Sequence, residues 1–343
     1  MWVFLKERVR RVAKKAVVLF SGGLDSLLTL KILDKAGLDV LGVHFVTWFN
    51  TPKYTLPEDF ADEVRIYGRF KIKHIDVSEE HRDLLIRPRY GYGSGMNPCL
   101  DCKILFFRKA KEFCEHTGAH FVASGEVAGQ RPMTQRLNTL RLVEKESGLS
   151  GYLLRPLSAK LLPPTVPEQL RWVDRDSLYK ISGRSRKPQM ELAEKYGIDE
   201  YPSPAGGCLL TENQFQIRFN DLLRYTDEVS IDDLTVLRYG RHFRLAPNCK
   251  LVLGRCQQEN EHLRRIRWGK LRLDPVNTPG PFGLMQWTGT RSLFRMALAI
   301  SARYCDTPPN GSVVFHVRYD GQEREATYRG TASKLLCEEK ILI

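Results

Sequence analysis

No stretch of this 343-residue chain approaches the length of uninterrupted apolar sequence that a membrane span needs. The N-terminus, MWVFLKERVRRVAKK, alternates charge with apolar residues and so lacks a signal-peptide core. Both absences lead to the expectation of a cytoplasmic protein with no membrane partner. Acidic residues are scarce beside basic ones, 40 against 53, which leaves a formal charge of +13. Such a chain suits a polyanion, because each cation near a phosphate backbone gains from counterion release. A merely solvated basic surface is the plainer alternative. There is no internal repeat. The eight cysteines (Cys99, Cys102, Cys114, Cys208, Cys249, Cys256, Cys305 and Cys337) do not read as a disulfide framework in a cytosolic chain of this size, so clustering among them points to metal or sulfur chemistry.

A Walker A loop is also missing, for no glycine spacing ends in Lys-Ser or Lys-Thr as that loop requires. What stands in its place is Ser21-Gly22-Gly23-Leu24-Asp25-Ser26. The apolar run Ala16 to Phe20 before it reads as a buried parallel strand, and from Leu24 to Lys35 apolar residues recur at helical spacing. The six residues are therefore a strand-to-helix turn. Two glycines clear side chains from a close approach, and Ser21 and Ser26 add hydroxyls beside free N–H groups of a helix N-terminus, which suits a phosphate.

Strand patterns follow at Asp39–Val46, Lys71–Val77 and His120–Gly125, and helical spacing is expected over Pro57–Phe70 and Lys103–His116. This alternation predicts an α/β fold, a doubly wound parallel sheet with its phosphate loop at the carboxyl edge, where open sheets of this kind bind ligands. His44 and His74 fall within strands and are expected to be satisfied by the backbone. Arg87 to Pro98 is all loop, either a flap or a long connection, and runs into Cys99-Leu100-Asp101-Cys102. Cys102 thus sits near a helix N-terminus, where a thiolate is stabilised.

The order Ser-Gly-Gly-x-Asp-Ser resembles the pyrophosphate loop of the PP-loop ATPases. Gly125-Glu126-x-x-Gly129-Gln130-x-x-x-Thr134-Gln135, with Leu154-Arg155-Pro156-Leu157 downstream, resembles the ThiI family of tRNA 4-thiouridine synthetases over residues 16 to about 215. The resemblance implies a nucleotide alpha hydrolase-like fold that binds ATP with Mg²⁺, cleaves it between the α and β phosphates, and adenylates a uridine carbonyl oxygen of tRNA so that sulfur can replace it. It implies that Ser21, Gly22, Gly23, Asp25, Ser26, Gly125 and Gln130 bind the nucleotide, that Asp25 lies near the metal, and that Lys187 handles phosphates. Cys208, in Tyr201–Thr211, corresponds to a family cysteine of sulfur transfer. The chain departs from the family between about 158 and 183, which looks like an insertion, and at Arg186, where an acidic residue is usual. It also shows no N-terminal RNA-binding module and no rhodanese-like domain, which implies an external sulfur donor, either sulfide or the persulfide of a cysteine desulfurase.

Cys99, Cys102 and Cys208 leave three possibilities open. Three thiolates can hold three irons of a 4Fe-4S cluster and leave the fourth open for a hydrosulfide, which is the expectation favoured here. The rivals are a persulfide relay and a zinc site, for which no nearby histidine is evident as a fourth ligand.

The expected organisation is a basic extension over 1–15, a PP-loop thiolase domain over 16–226 closed by a helix at Asn213–Tyr225, and a smaller basic α+β domain over 227–343. In the last, ten Lys or Arg between Arg238 and Arg272 face only Glu259 and Glu261, with Tyr239, His242, Phe243, His262 and Trp268 interleaved, a composition suited to RNA. Leu251 to Asn260 also resembles the RNA-binding domain of NFACT proteins. ATP-dependent tRNA thiolation is the function expected. The alternatives are a PP-loop amide or lysidine-type ligase and a non-catalytic RNA-binding protein with a vestigial ATPase fold.

Overall fold

The computed structural model describes residues 13–50, 63–202, 207–287, 289–306 and 311–342. Most of the expected N-terminal extension, and the first half of the helix expected at Pro57–Phe70, lie outside these. The chain divides into two compact units: Met1–Val46, Phe60–Gly93 and Pro98–Gly206 form one, and Thr47–Asp59, Ser94–Asn97 and Gly207–Ile343 the other.

The first unit runs β1 (Lys15–Leu19), α1 (Leu24–Lys35), β2 (Asp39–Val46), β3 (Val64–Tyr67), β4 (Phe70–Asp76), α2 (Ser78–Ile86), α3 (Cys99–His116), β5 (Phe121–Ser124), α4 (Leu137–Glu146), β6 (Leu153–Leu154), α5 (Val166–Gln169) and α6 (Lys187–Tyr196). Its sheet has the order β3-β4-β2-β1-β5-β6. Every pairing is parallel except β3 with β4. Strand β1 is apolar from Ala16 to Leu19 because both its faces are covered. Ala16 and Val18 join the core under α1 and α6, whereas Val17 joins the core under α3 and α4. Each fully buried Val, Leu or Ile side chain contributes about 1.5–3 kcal/mol of transfer free energy. The segment 158–183 belongs to the first of these cores, since Val173, Leu178 and Ile181 are buried in it.

Helical spacing over Pro57–Phe70 fails where the structure describes it. Val64–Tyr67 is a strand, and Gly68, with φ of 59°, turns it into β4 so that Tyr67 pairs with Phe70. A two-residue turn with a left-handed glycine matches strand twist and outweighs a weak helical pattern. The cysteine pair, expected ahead of its helix, instead opens it, with Pro98 as N-cap and Cys99 as the first helical residue.

The second unit runs α7 (Asn213–Tyr225), α8 (Ile231–Val236), β7 (Arg241–Ala246), β8 (Cys249–Leu253), α9 (Gln257–Arg265), β9 (Leu271–Pro275), β10 (Gly283–Met285), α10 (Arg291–Arg303), β11 (Ser312–Tyr319), β12 (Gln322–Arg329) and α11 (Lys334–Lys340). Its sheet, ordered β12-β11-β9-β10-β8-β7, is antiparallel throughout. Helix α10 covers one face, and α8 and α9 pack on the other. Helix α7 belongs to this unit rather than closing the first. Arg218 donates to the carbonyls of Leu237 and Gly240, and Asp221 pairs with Arg244 and Lys250 at 2.6 and 2.9 Å. Among the described residues no helix is long and apolar enough to cross a membrane.

The rings in the basic and aromatic run from Arg238 to Arg272 do not form an exposed stacking face as composition suggested. Tyr239, His242, Phe243, His262 and Trp268 are all buried. Trp268 donates its indole N–H to Asp233 at 2.8 Å. Arg244 and Lys250 share Asp221, Arg255 pairs with Glu259, and Arg264 with Asp274. His242 and Phe243 lie on β7, which is covered on both faces, whereas Tyr239 and Trp268 are buried in the core under α8 and α9 and His262 lies on α9, a matter that composition does not report.

Candidate functional site

The turn after β1 is braced from within. Ser26, buried, donates its hydroxyl to the Gly23 carbonyl at 2.7 Å and lies 3.5 Å from the Ser21 hydroxyl. It therefore shapes the loop, and Ser21 is the exposed one of the two hydroxyls. Gly22 has φ of 78° and nothing within 4 Å of where a Cβ would stand, so the loop needs glycine there for its conformation and leaves open space above it. Gly125, at the end of β5, has another task. A Cβ there would stand 2.5 Å from the Asp25 carbonyl carbon and oxygen, so its missing side chain lets the β5 turn lie against the backbone of α1's first turn.

Asp25 is the focus. Gln130 donates to its Oδ2 at 3.1 Å, and its Oδ1 is buried without a hydrogen bond. Burial pushes its carboxyl pKa up, opposed by the Gln130 amide, the charge of Arg186, the Gln189 amide and the charge of Arg131. Gln189 is fully buried in the first turn of α6, close enough to favour the carboxylate without completing a hydrogen bond of normal geometry. A buried carboxylate oxygen left open among amides and cations is equipped to meet a cation or a hydrated phosphate. Lys187 is exposed at the start of α6, and the charge felt by Asp25 comes from its neighbour Arg186.

Helix α3 enters β5, so its first turn lies at the carboxyl edge of the sheet together with the Ser21 turn and the start of α2, which follows β4. There the Nε2 of His81, on α2, lies 3.2 Å from the Sγ of Cys102. His81 has no exposed surface, and burial drives its pKa down to about 3, so the imidazole is neutral at ordinary pH. Asp101 accepts from the backbone N–H groups of Arg89 and Tyr90, both at 3.1 Å, and so pins the preceding loop to the cysteine helix. Cys99 and Cys102 are half-buried. Cys208 is half-buried and belongs to the second unit.

Residues 14–166 match the family model described as the tRNA methyl transferase HUP domain, and residues 240–336 match that of the NFACT protein RNA binding domain. Two segments of the chain are thus similar to a HUP domain and to an NFACT-type domain. Curated relatives include a protein named tRNA-specific 2-thiouridylase MnmA from Listeria monocytogenes, 27% identical over 213 residues that cover 59% of this chain and 54% of the relative. Another of the same name, from Limosilactobacillus reuteri, is 26% identical over 211 residues, covering 58% and 52%. The chain spans about half the length of the curated relatives it matches. Among solved structures, a 4-thiouridine synthetase–RNA complex with bound ATP is similar with a TM-score of 0.35 and 22% identity, covering 54% of this chain and 41% of that one. A predicted subunit of tRNA methyltransferase from Methanocaldococcus jannaschii is similar with a TM-score of 0.33 and 18% identity, covering 62% and 88%.

Within the HUP domain, the Glu126 and Arg155 of the sequence motifs form a buried ionic network. Glu126 pairs with Arg155 at 2.9 Å and with Lys103 at 3.0 Å, and Arg155 also pairs with Glu144. Lys103 follows Cys102 directly, so the network fixes the cysteine helix to the β5 turn. Gly129 donates to the Gln135 carbonyl at 2.7 Å, which holds the turn that carries Gln130.

A cavity of about 770 Å³ opens beside the Ser21 turn, lined by Phe20, Gly22, Leu27, Tyr67 and Tyr201 among others. Its size and its aromatic wall fit a nucleotide. Asp25 does not line this cavity; its buried Oδ1, without a hydrogen bond, is the group that would hold a magnesium ion. The cysteines give a different result. Among the described residues, no group of three or more His, Cys, Asp or Glu is arranged to hold a metal ion. Cys99 and Cys102 belong to the first unit and Cys208 to the second.

Sequence reasoning missed His81 and Gln189, and met Arg186 only as a departure from the family. His81 carries no local signal, and its meeting with Cys102 is set by how α2 and α3 pack. Gln189 could have been found, because Pro188 marks the start of α6 and so places Gln189 within its first turn.

Proposed function

We propose that the chain is an ATP-dependent, AMP-forming tRNA thiolase. The observation that carries this is the pairing, at one sheet edge of the HUP domain, of an open Asp25 carboxylate under a glycine turn with a Cys102–His81 pair. The match to the tRNA methyl transferase HUP model, the relatives named 2-thiouridylases and the NFACT-type domain all support it, and the relatives favour the 2-carbonyl of uridine.

In this reading the uridine carbonyl oxygen attacks the α-phosphate and pyrophosphate leaves, so that the oxygen becomes part of AMP. The Ser21 turn and Arg186 receive the charge moving onto pyrophosphate, and Asp25 would hold a magnesium ion, which would supply further charge stabilisation there. A persulfide on Cys102 then supplies sulfur to the activated carbon, and AMP departs with the oxygen. A second cysteine, Cys99 or Cys208, takes the sulfenyl sulfur of Cys102 as a disulfide, releasing the thiolated nucleoside, and an external thiol reduces that disulfide. The neutral His81 orients the Cys102 thiol. The sulfur reaches Cys102 from an external donor.

The test is to incubate the protein anaerobically with tRNA, ATP, magnesium, a thiol reductant and either a cysteine desulfurase with cysteine or sulfide, then digest the RNA and analyse its nucleosides. The desulfurase with cysteine supplies the persulfide, whereas sulfide can reach the activated carbon only without the Cys102 relay. Thiolated uridine, with release of pyrophosphate, is expected. Absence of thiolation with every sulfur source overturns the reading. Iron and acid-labile sulfide, assayed on the same preparation, decide between the thiol relay and the cluster expected from sequence.

A further inference from the structure

The second unit contains a cleft of about 810 Å³ whose walls differ in charge. One wall carries Asp227 and Glu228, both exposed, with Asp232 half-buried and Asp233 bonded to Trp268, and the other carries Trp287 with Arg267 and Lys270, both exposed. Trp287 is half-buried and set edge-on to Tyr319, with ring centroids 4.6 Å apart, and tilted on Phe294 at 6.0 Å. Its indole N–H is turned to the Thr290 carbonyl at 3.4 Å, so its position is fixed. Beyond it, Arg291 and Arg295 stand exposed one turn apart on α10, and Arg324 lies over the Phe294 ring at 5.7 Å.

The buried rings between Arg238 and Arg272 cannot stack on RNA, so any stacking surface of this unit must be sought elsewhere. We propose that this cleft seats one unstacked RNA nucleotide. Its base lies on Trp287, and its flanking phosphates meet Lys270, Arg267 and the arginines of α10. Asp227 and Glu228 face the base edge.

Three features select this occupant. An aromatic ring held rigid by two others offers area to a base at little entropic cost. Carboxylates repel a phosphate backbone but accept from the exocyclic amino group of cytosine or adenine, which gives the acidic wall a purpose beside the basic one. A duplex keeps its bases stacked and offers nothing to a ring inside a cleft. The proposal rests on the reading of this unit as RNA-binding.

Fluorescence anisotropy of the full chain with labelled unstructured oligonucleotides of C, A or U, and with a duplex, tests it. The wild type should prefer C and A strands to U and to duplex. Trp287→Ala should weaken binding of the C strand roughly five- to a hundredfold, with Trp287→Phe keeping most of the affinity. Asp227→Asn with Glu228→Gln should erase the preference over U. Arg291→Ala with Arg295→Ala should flatten the salt dependence by a slope of about 1.4. If the wild type binds RNA while Trp287→Ala, melting like the wild type, binds the C strand equally well, the site is wrong and the RNA reading stands. If the wild type binds none of these RNAs at low salt, the RNA reading itself falls and takes this proposal with it.

Discussion

The Nε2 of His81 stands 3.2 Å from the Sγ of Cys102, within a part of the fold where the imidazole has no solvent access. Its pKa of about 3 lies below the unfolded value of 6.5 because burial penalises the charged ring. Between those values the unfolded chain holds the proton and the folded chain does not, so stability falls as pH drops through that window and is unaffected above it. His81→Gln should remove about 1.4 kcal/mol per pH unit from that slope. Urea unfolding at several pH values from about 6 to 4 measures it, and an unchanged slope would show that His81 is not buried as a neutral group.

Arg155→Met leaves Glu126 in the interior with Lys103 as its remaining partner. Removing one member of a buried ionic group costs about 3–5 kcal/mol, because the other charge stays desolvated. Adding Glu126→Gln should recover a large part of that loss. Denaturation of the two single variants and the double variant completes the cycle, and strict additivity would contradict the coupling.

Much of this arrangement can be read from residue order, and the remainder depends on packing. The run Ala16–Phe20 followed by helical spacing from Leu24 specifies strand, turn and helix because a strand covered on both faces must be apolar and a helix covered on one must be periodic. His44 was expected to be satisfied by the backbone, and its Nδ1 lies 2.8 Å from the Phe20 carbonyl oxygen. The Val64–Tyr67 hairpin escaped because four residues are too few to separate a period of two from one of 3.6. Residue order likewise lists Trp268 and Trp287 as equals. Both line the same cleft, but packing under α8 and α9 and the bond to Asp233 bury the first and leave the second half-exposed. Lys187 and Arg186 differ by one position, and one step around a helix start decides which charge reaches Asp25.

Gly125→Ala tests whether the β5 turn must lie against α1. The added methyl would meet backbone atoms of Asp25 and Ser26 at 2.5 and 2.8 Å, which cannot move without displacing the loop. Nucleotide affinity, measured by calorimetry with a non-hydrolysable ATP analogue and magnesium, should fall at least about tenfold, as expected when a preorganised site shifts. Gly22→Ala should also weaken binding, through backbone strain at its positive φ, although the space around it is open. Wild-type affinity in Gly125→Ala would place the nucleotide elsewhere.

Asp25→Asn should separate stability from activity. The raised carboxyl pKa means that the folded chain holds this proton more tightly than the unfolded chain, whose reference value is 3.8. The resulting stabilisation is complete below that value and disappears as pH rises through the folded pKa, so at neutral pH the ionised, partly unsatisfied carboxylate is a burden on the fold. Asparagine carries no charge to desolvate and can keep the Gln130 contact, so the melting temperature at neutral pH should rise by a few degrees. Pyrophosphate release in the presence of tRNA and sulfide should drop on the order of a hundredfold or more, since the group that would hold magnesium is gone. The same raised pKa predicts that wild-type turnover begins to fall, on acidification, at a higher pH than an exposed aspartate would give. A variant that melts higher and keeps wild-type pyrophosphate release would remove Asp25 from the chemistry, and one that melts lower would show that its charge is better satisfied than its open Oδ1 implies.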